Sequence, residues 1–227
     1  APVGCAAVAM GQAMHYYSYP NFGNGSHINQ SHPELPIVNF ENYNNNWFDI
    51  LNKDQTSIAT FLYHCGVSID MEYSLSGSSA LTSDIKKSLP SFFRYDNDIY
   101  YLLKENYPES TWINILKGEI LNNRPVIMRG NNFWGDDKHA FVCDGFDEGD
   151  NFHFNWGYYG KGNGWYNINS LLVDIPTTDG IVTLNFSFDN AALIGIKIPS
   201  DNFEPNNSEI EPKHISYYEN IFNPTII

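Results

Sequence analysis

The chain reads as an α+β protein in two lobes, a helical lobe first and an antiparallel β-sheet lobe second. Three observations predict this. Helix-forming runs gather in the first 121 residues, strand-like runs gather from residue 125 onward, and the turn composition Asp147-Glu148-Gly149-Asp150 joins two of those strands directly. At 227 residues, 42% hydrophobic and 15% aromatic, the chain can fill one domain or two small lobes with a substantial core.

The elements follow in order. Pro2 and Gly4 preclude a helix at the start, whereas Cys5 to Tyr17 is rich in Ala, Met and Gln, and Pro20 closes the segment, so a helix is expected over 5–18. Residues 19–53 are rich in Asn, Pro and Ser and are expected to be irregular, anchored by Trp47 and Phe48. A helix over 55–65, ended by Gly66, places Ile58, Phe61, Leu62 and Cys65 on one face, and a strand over 67–71 follows. The stretch 72–80 reads as a small polar loop. A short helix over 83–89 is capped by Thr82 or Ser83, and another over 111–121 puts Trp112, Ile115, Leu116 and Ile120 on one face. Strands are expected over 125–129, 139–146, 151–156, 164–168, 181–187 and 190–198. The Gly-rich 157–164 lacks the spacing and the Lys-Ser/Thr ending of a phosphate loop; it is either a flexible loop beside a cleft or a long hairpin connection. Residues 199–227 change composition and read as a linker or the start of a C-terminal extension, leaving 1–198 as the main domain.

Chemistry concentrates in three places. Cys5 sits in the first turn of its helix, where free N–H groups and the positive end of the dipole favour a thiolate and could hold an oxyanion. His139 begins a strand, and folding the following hairpin about residue 147 or 148 brings it opposite residues 155–157. Asn155 could then fix one tautomer of His139 and turn the other nitrogen toward Cys5, while Trp156 covers the contact. In chain order the three read Cys, His, Asn, the order of papain-like thiol proteases. Cys65 and Cys143 read as packing: Cys143 shares the pleat face of His139 but lies about 13 Å along the strand.

The segment Gly4-Cys5-Ala6-Ala7-Val8-Ala9-Met10-Gly11-Gln12-Ala13-Met14-His15-Tyr16, followed by Tyr19-Pro20, resembles the nucleophile segment of the streptopain-like (C10) cysteine peptidases. Val67 to Tyr73 with Ser76 to Ala80, Arg124 to Ile127, His139 to Gly145, Phe154 to Gly157 and Ala192 to Lys197 are similar to further blocks of that family, in order, over about residues 3–198. The resemblance implies a papain-like fold with the site between the lobes. It implies a secreted bacterial endopeptidase made as an inactive precursor with an N-terminal pro-domain and acting on protein or peptide substrates. Residue by residue, it implies Cys5 as nucleophile, His139 as general base and acid, Asn155 as the group orienting His139, Trp156 as their shield, and Ser79 and the backbone at Lys138 as cleft lining. A Gly usually stands where Lys138 does. The family's oxyanion-hole Gln lies some thirty residues before the cysteine, so here it is expected in a segment upstream of Ala1.

Composition narrows the alternatives. A net charge of −14, from 26 acidic and 12 basic residues, disfavours nucleic acid and anionic membranes as partners. No run of eighteen apolar residues predicts a membrane span, and the first residues lack the pattern of a signal peptide. Three cysteines do not make a disulfide framework, and the scattered histidines have no partners at metal-ligand spacing, so neither metal nor cofactor is expected. Two other readings stay open: a protein-binding module on the same scaffold without turnover, and an acyl transferase such as a transglutaminase or amidase.

Overall fold

The computed structural model describes residues 1–135 and 138–200. The chain opens with helix α1 (Cys5–Tyr17), two short strands β1 (Ser26–His27) and β2 (Val38–Asn39), and helices α2 (Trp47–Leu51), α3 (Gln55–Ser68) and α4 (Ile85–Phe93). Strand β3 (Tyr100–Leu103) and helix α5 (Glu109–Leu121) lead into β4 (Val126–Asn131), β5 (Lys138–Phe146), β6 (Asn151–Asn155) and β7 (Gly164–Asn167). A ribbon of β8 (Leu172–Thr177) and β9 (Gly180–Asn185) precedes β10 (Phe188–Ile194). Six strands form one antiparallel sheet in the order β3-β10-β4-β5-β6-β7, and the ribbon stands apart as its own two-stranded sheet.

The sheet divides two cores. Alternation along β5 sends Ala140 and Val142 to one face and Phe141 and Cys143 to the other. On the first face they meet α1, α3 and α4 through Met10, Met14, Phe61, Leu62 and Leu89. On the second they meet Trp112 and Leu116 of α5, the aromatic cluster Phe152, Phe154 and Trp156, and Val173 and Ile175 of the ribbon. This is the expected α+β arrangement, with α5 packed on the far side of the sheet from the other helices.

Several expectations are corrected. Helix α3 runs through Gly66 to Ser68, so the strand expected over 67–71 is absent there. Gly66 is not a terminator: a Cβ on it would lie 2.2 Å from the Tyr73 hydroxyl, so the glycine answers a close approach rather than a turn. The actual stop is the left-handed Asp70 (φ 52°). Helix α4 begins at Ile85 after a 3₁₀ turn over Thr82–Asp84 and takes no side-chain cap from Thr82 or Ser83. Trp47 is buried as an anchor, but Phe48 is 73% exposed. Strands β3 and β8 were not legible, the one because it is four residues long, the other because Pro176 interrupts it. The Gly-rich 157–164 joins β6 to β7 and is tied down, since Asn163 Oδ1 accepts from Trp156 N at 3.0 Å and Gly162 O accepts from the Tyr166 hydroxyl. Of the linker or extension expected over 199–227, residues 201–227 lie outside the described residues.

Candidate active site

Helix α1 starts on Gly4, whose φ of 91° suits glycine and whose carbonyl accepts from Val8 N at 3.1 Å. A Cβ at position 4 would also approach Met71 Sδ to 2.7 Å and Ser78 O to 3.1 Å. Cys5 is therefore the first helical residue, held against the 71–79 loop. That loop is fixed by Ser78 Oγ donating to Pro2 O at 2.5 Å and by the antiparallel bridge of Ser79 with Glu72. Ser79 is exposed one residue beyond the Pro2 contact, and Lys138 is exposed at the start of β5.

The backbone N–H groups of Cys5, Ala6 and Ala140 lie close enough to the Cys5 sulfur to favour its thiolate. The first two come from the start of α1; the third comes from β5, one residue after His139. The start of α1 thus lies beside β5 at Ala140. Burial pushes the Cys5 thiol up, and the three N–H groups only partly offset it. This runs against the expectation from the helix start alone, because desolvation outweighs the local N–H groups. Burial likewise pulls His139 down to about 4, opposed weakly by a hydrogen bond to a main-chain carbonyl.

That carbonyl is the second correction. His139 Nε2 bonds Trp156 O at 2.7 Å, so the orienting contact comes from the main chain of Trp156 rather than from the Asn155 side chain. Asn155 Oδ1 instead accepts from Gln12 Nε2 at 3.0 Å and from Gly157 N at 3.1 Å. The cause is register. The turn centres on residue 149, with Phe146 opposite Phe152, rather than on 147 or 148; a bulge between Cys143 and Gly145 then moves the register back by one, so that Val142 faces Asn155. Carried on from that pair, the register puts position 158, beyond the ladder, opposite His139. The Tyr158 ring stacks on the imidazole at 4.6 Å and 6°.

Trp156 also differs from expectation. Its indole is fully buried among Phe141 at 4.5 Å, Phe154 at 5.3 Å and Phe186 at 5.6 Å. It supports the site from below, while Tyr158, Phe186 at 4.9 Å and Phe141 at 6.1 Å are aromatic neighbours of the His139 imidazole. Sequence reasoning missed Phe186, which carries no local signal, and Gln12, whose signal was present: seven residues after Cys5, it shares that residue's helical face.

A carbonyl oxygen only accepts, so Nε2 of His139 carries the proton and Nδ1 keeps its lone pair. The arrangement is a thiol at a helix start, a neutral base of fixed tautomer and convergent N–H groups. It suits transfer of an acyl group to sulfur. Among the described residues no group of three or more His, Cys, Asp or Glu side chains is placed to hold a metal ion, and no helix is long and apolar enough to cross a membrane.

Residues 1–166 match the model of the peptidase C10 family. The chain is similar to thiol protease/hemagglutinin PrtT of Porphyromonas gingivalis, 30% identical over 89% of this chain and 24% of that protein. It is similar to streptopain of Streptococcus pyogenes, 29% identical over 87% of this chain and 53% of that protein. The chain therefore spans about half the length of the streptopains it matches and a quarter of PrtT. Active interpain A cysteine protease of Prevotella intermedia has a similar structure, with TM-score 0.70 and 26% identity over 84% of this chain and 82% of that one. A prointerpain A fragment from the same organism matches with TM-score 0.69 and 26% identity over 87% of this chain and 64% of that one.

Proposed function

Since the chain belongs to the peptidase C10 family, we propose that it is the catalytic part of a cysteine endopeptidase in which Cys5 attacks the peptide carbonyl and His139 moves the proton. The observation that carries this reading is the Cys5 sulfur at the start of α1, near the N–H of Ala140, the residue after a His139 whose Nε2 is held by Trp156 O. Nδ1 of His139 takes the thiol proton as sulfur bonds to the carbonyl carbon. The tetrahedral oxyanion rests on the N–H of Cys5. Collapse expels the amine, which takes the proton from His139 and leaves a thioester on Cys5. His139 then takes a proton from water as the water oxygen attacks the thioester; the C–S bond breaks, the acid leaves, and His139 returns the proton to the Cys5 sulfur. Asn155 and Trp156 act here through the main chain between them. Ser79 and the main chain at Lys138, both exposed, are assigned to the lining of the substrate cleft in this reading.

The family's usual second oxyanion donor, a Gln, belongs in this reading to a segment upstream of Ala1. Adding that segment should raise turnover by about 10²–10³-fold, the usual worth of one such donor. Secretion and an N-terminal pro-domain also belong to the proposal. The prointerpain neighbour supports the pro-domain, and the extracellular character implied by the family resemblance supports secretion. The peptidase unit is 1–198, followed by a linker or extension.

The test is cleavage of casein by the full chain with its upstream segment. Cys5→Ala should abolish it and His139→Ala should nearly do so. Iodoacetamide should label Cys5 before Cys65 or Cys143, whose thiols burial pushes far up. Undiminished cleavage by Cys5→Ala would sink the assignment, and amine incorporation in place of new peptide termini would mark an acyl transferase.

A further inference from the structure

We propose that Gln12 is a positioning residue: through Asn155 it locks the nucleophile helix to the peptide carbonyl that aims His139. The inference rests on His139 being the base. Gln12 lies seven residues after Cys5, two helical turns and about 10 Å along α1, on the same face. Its Nε2 donates to Asn155 Oδ1 at 3.0 Å across the boundary between helix and sheet. The same Oδ1 accepts from Gly157 N at 3.1 Å. Because a backbone N–H can only donate, it fixes which end of the Asn155 amide is oxygen, and that oxygen in turn requires the NH₂ of Gln12. Residues 155 and 157 are thus both tied to one oxygen, and the peptide between them directs Trp156 O at His139 Nε2 at 2.7 Å. A third tie, Trp156 N to Asn163 Oδ1 at 3.0 Å, holds the N–H side of Trp156.

The other atom of the Gln12 amide argues that stability is not its role. Gln12 Oε1 is buried and has no hydrogen-bond partner among the described residues. An unpaired buried acceptor is destabilising. An apolar side chain of the same length would fill the place between α1 and the sheet without that penalty. A glutamine here gives up stability, and what it gains is the alignment of two reacting groups carried on separate lobes. Asn155 is accordingly the middle of a chain running from the nucleophile helix to the base, not the group that touches the base.

The test uses the full chain with its upstream segment. Gln12→Met should lower kcat by about 10–100-fold, the scale for sub-ångström to 1 Å misplacement of a catalytic group, with KM unchanged. Its melting temperature should stay the same or rise. Asn155→Leu should lose turnover to a similar degree, and Asn155→Asp, which keeps the acceptor for both N–H groups, should recover turnover that Asn155→Leu loses. Gln12→Met with Asn155→Leu should be no worse than the poorer single variant, because both cut one chain. Nitrogen-15 spectra of histidine-labelled Cys5→Ala protein should show His139 as the Nε2–H tautomer, and adding Gln12→Met should mix in the Nδ1–H form. Unchanged kcat in Gln12→Met, multiplied losses in the double variant, or an unmixed tautomer would each overturn the proposal. A tautomer that mixes in a protein that cleaves nothing would instead leave the latch standing and remove the peptidase reading.

Discussion

His64 should make the fold lose stability in mild acid, and replacing it should restore much of that loss. The side chain is buried on α3 beside the Tyr43 ring at 4.2 Å, edge-on, with Phe40 at 6.0 Å. Burial there lowers its pKa from 6.5 to about 4. The folded value lies below the unfolded one, so as pH falls below about 6.5 the unfolded chain binds a proton that the native state refuses until about 4. The stability is complete above that window and drains away through it. Linkage gives about 2 kcal/mol lost between pH 7 and pH 5, and about 3 kcal/mol by pH 4. His64→Phe keeps a flat ring among aromatic neighbours and cannot take the proton. Urea unfolding at pH 7 and pH 5, in a Cys5→Ala background to prevent self-digestion, should show the variant losing about 2 kcal/mol less than its parent. In thermal melts that corresponds to about 4–8 °C for a chain of this size. His139, also held near 4, contributes a similar loss to both proteins and cancels from the comparison. Equal losses in parent and variant would refute the reasoning.

Three further outcomes are expected. With His139 lowered to about 4, kcat/KM should rise with pH through about 4 as the base loses its proton; a midpoint near 6.5 would contradict a desolvated imidazole. Gly66→Ala should destabilise by about 1–3 kcal/mol despite alanine's better helix propensity, because its Cβ would meet the Tyr73 hydroxyl at 2.2 Å. In a Tyr73→Phe background the nearest ring carbon is 3.2 Å away and the same change should be tolerated; equal costs in both backgrounds, by urea unfolding, would discount that contact. Arg124→Met should cost on the order of 3 kcal/mol by the same measurement, since it strands the buried Glu119 carboxylate that now takes two guanidinium N–H bonds at 2.8 Å; adding Glu119→Leu should recover part of it, and no recovery would argue against a stranded charge.

The sequence conveyed the nucleophile helix, four of the five main helices and most sheet strands because each of these carries its own period or composition. Cys5 to Tyr17 is small and helix-forming throughout, and His139 to Phe146 alternates between the two cores. What it misjudged was decided by contacts between distant segments. Gly66 looks like a helix stop locally and is a packing contact with Tyr73. Asn155 looks like the partner of His139 by spacing, but the turn centres on residue 149, beyond the acidic pair that marks it in the sequence, and the one-residue bulge at Asp144 brings the register only part of the way back. Cys5 looks activated at a helix start, yet the lobe that brings Ala140 to it also removes water, and desolvation reverses the sign.

The two cores explain why the site needs a cross-link at all. Cys5 is carried by a helix embedded in the core that includes Met10, Met14 and Leu62, whereas His139 is backed by Phe141 and Phe186 of the other core. The first core packs α1 onto β5 through Ala140 and Val142 and so sets the coarse placement of the two groups. Their fine alignment then depends also on the polar contact between Gln12 and Asn155, since a shift of a fraction of an ångström spoils a proton transfer. Trp112→Ala, in the second core and fully buried, should accordingly lower stability by about 3–5 kcal/mol while the kcat of the folded fraction changes little. Gln12→Met should do the reverse. If a cavity deep under β5 damaged turnover as much as the loss of one amide at the seam, alignment would be a property of the whole sheet and not of that contact.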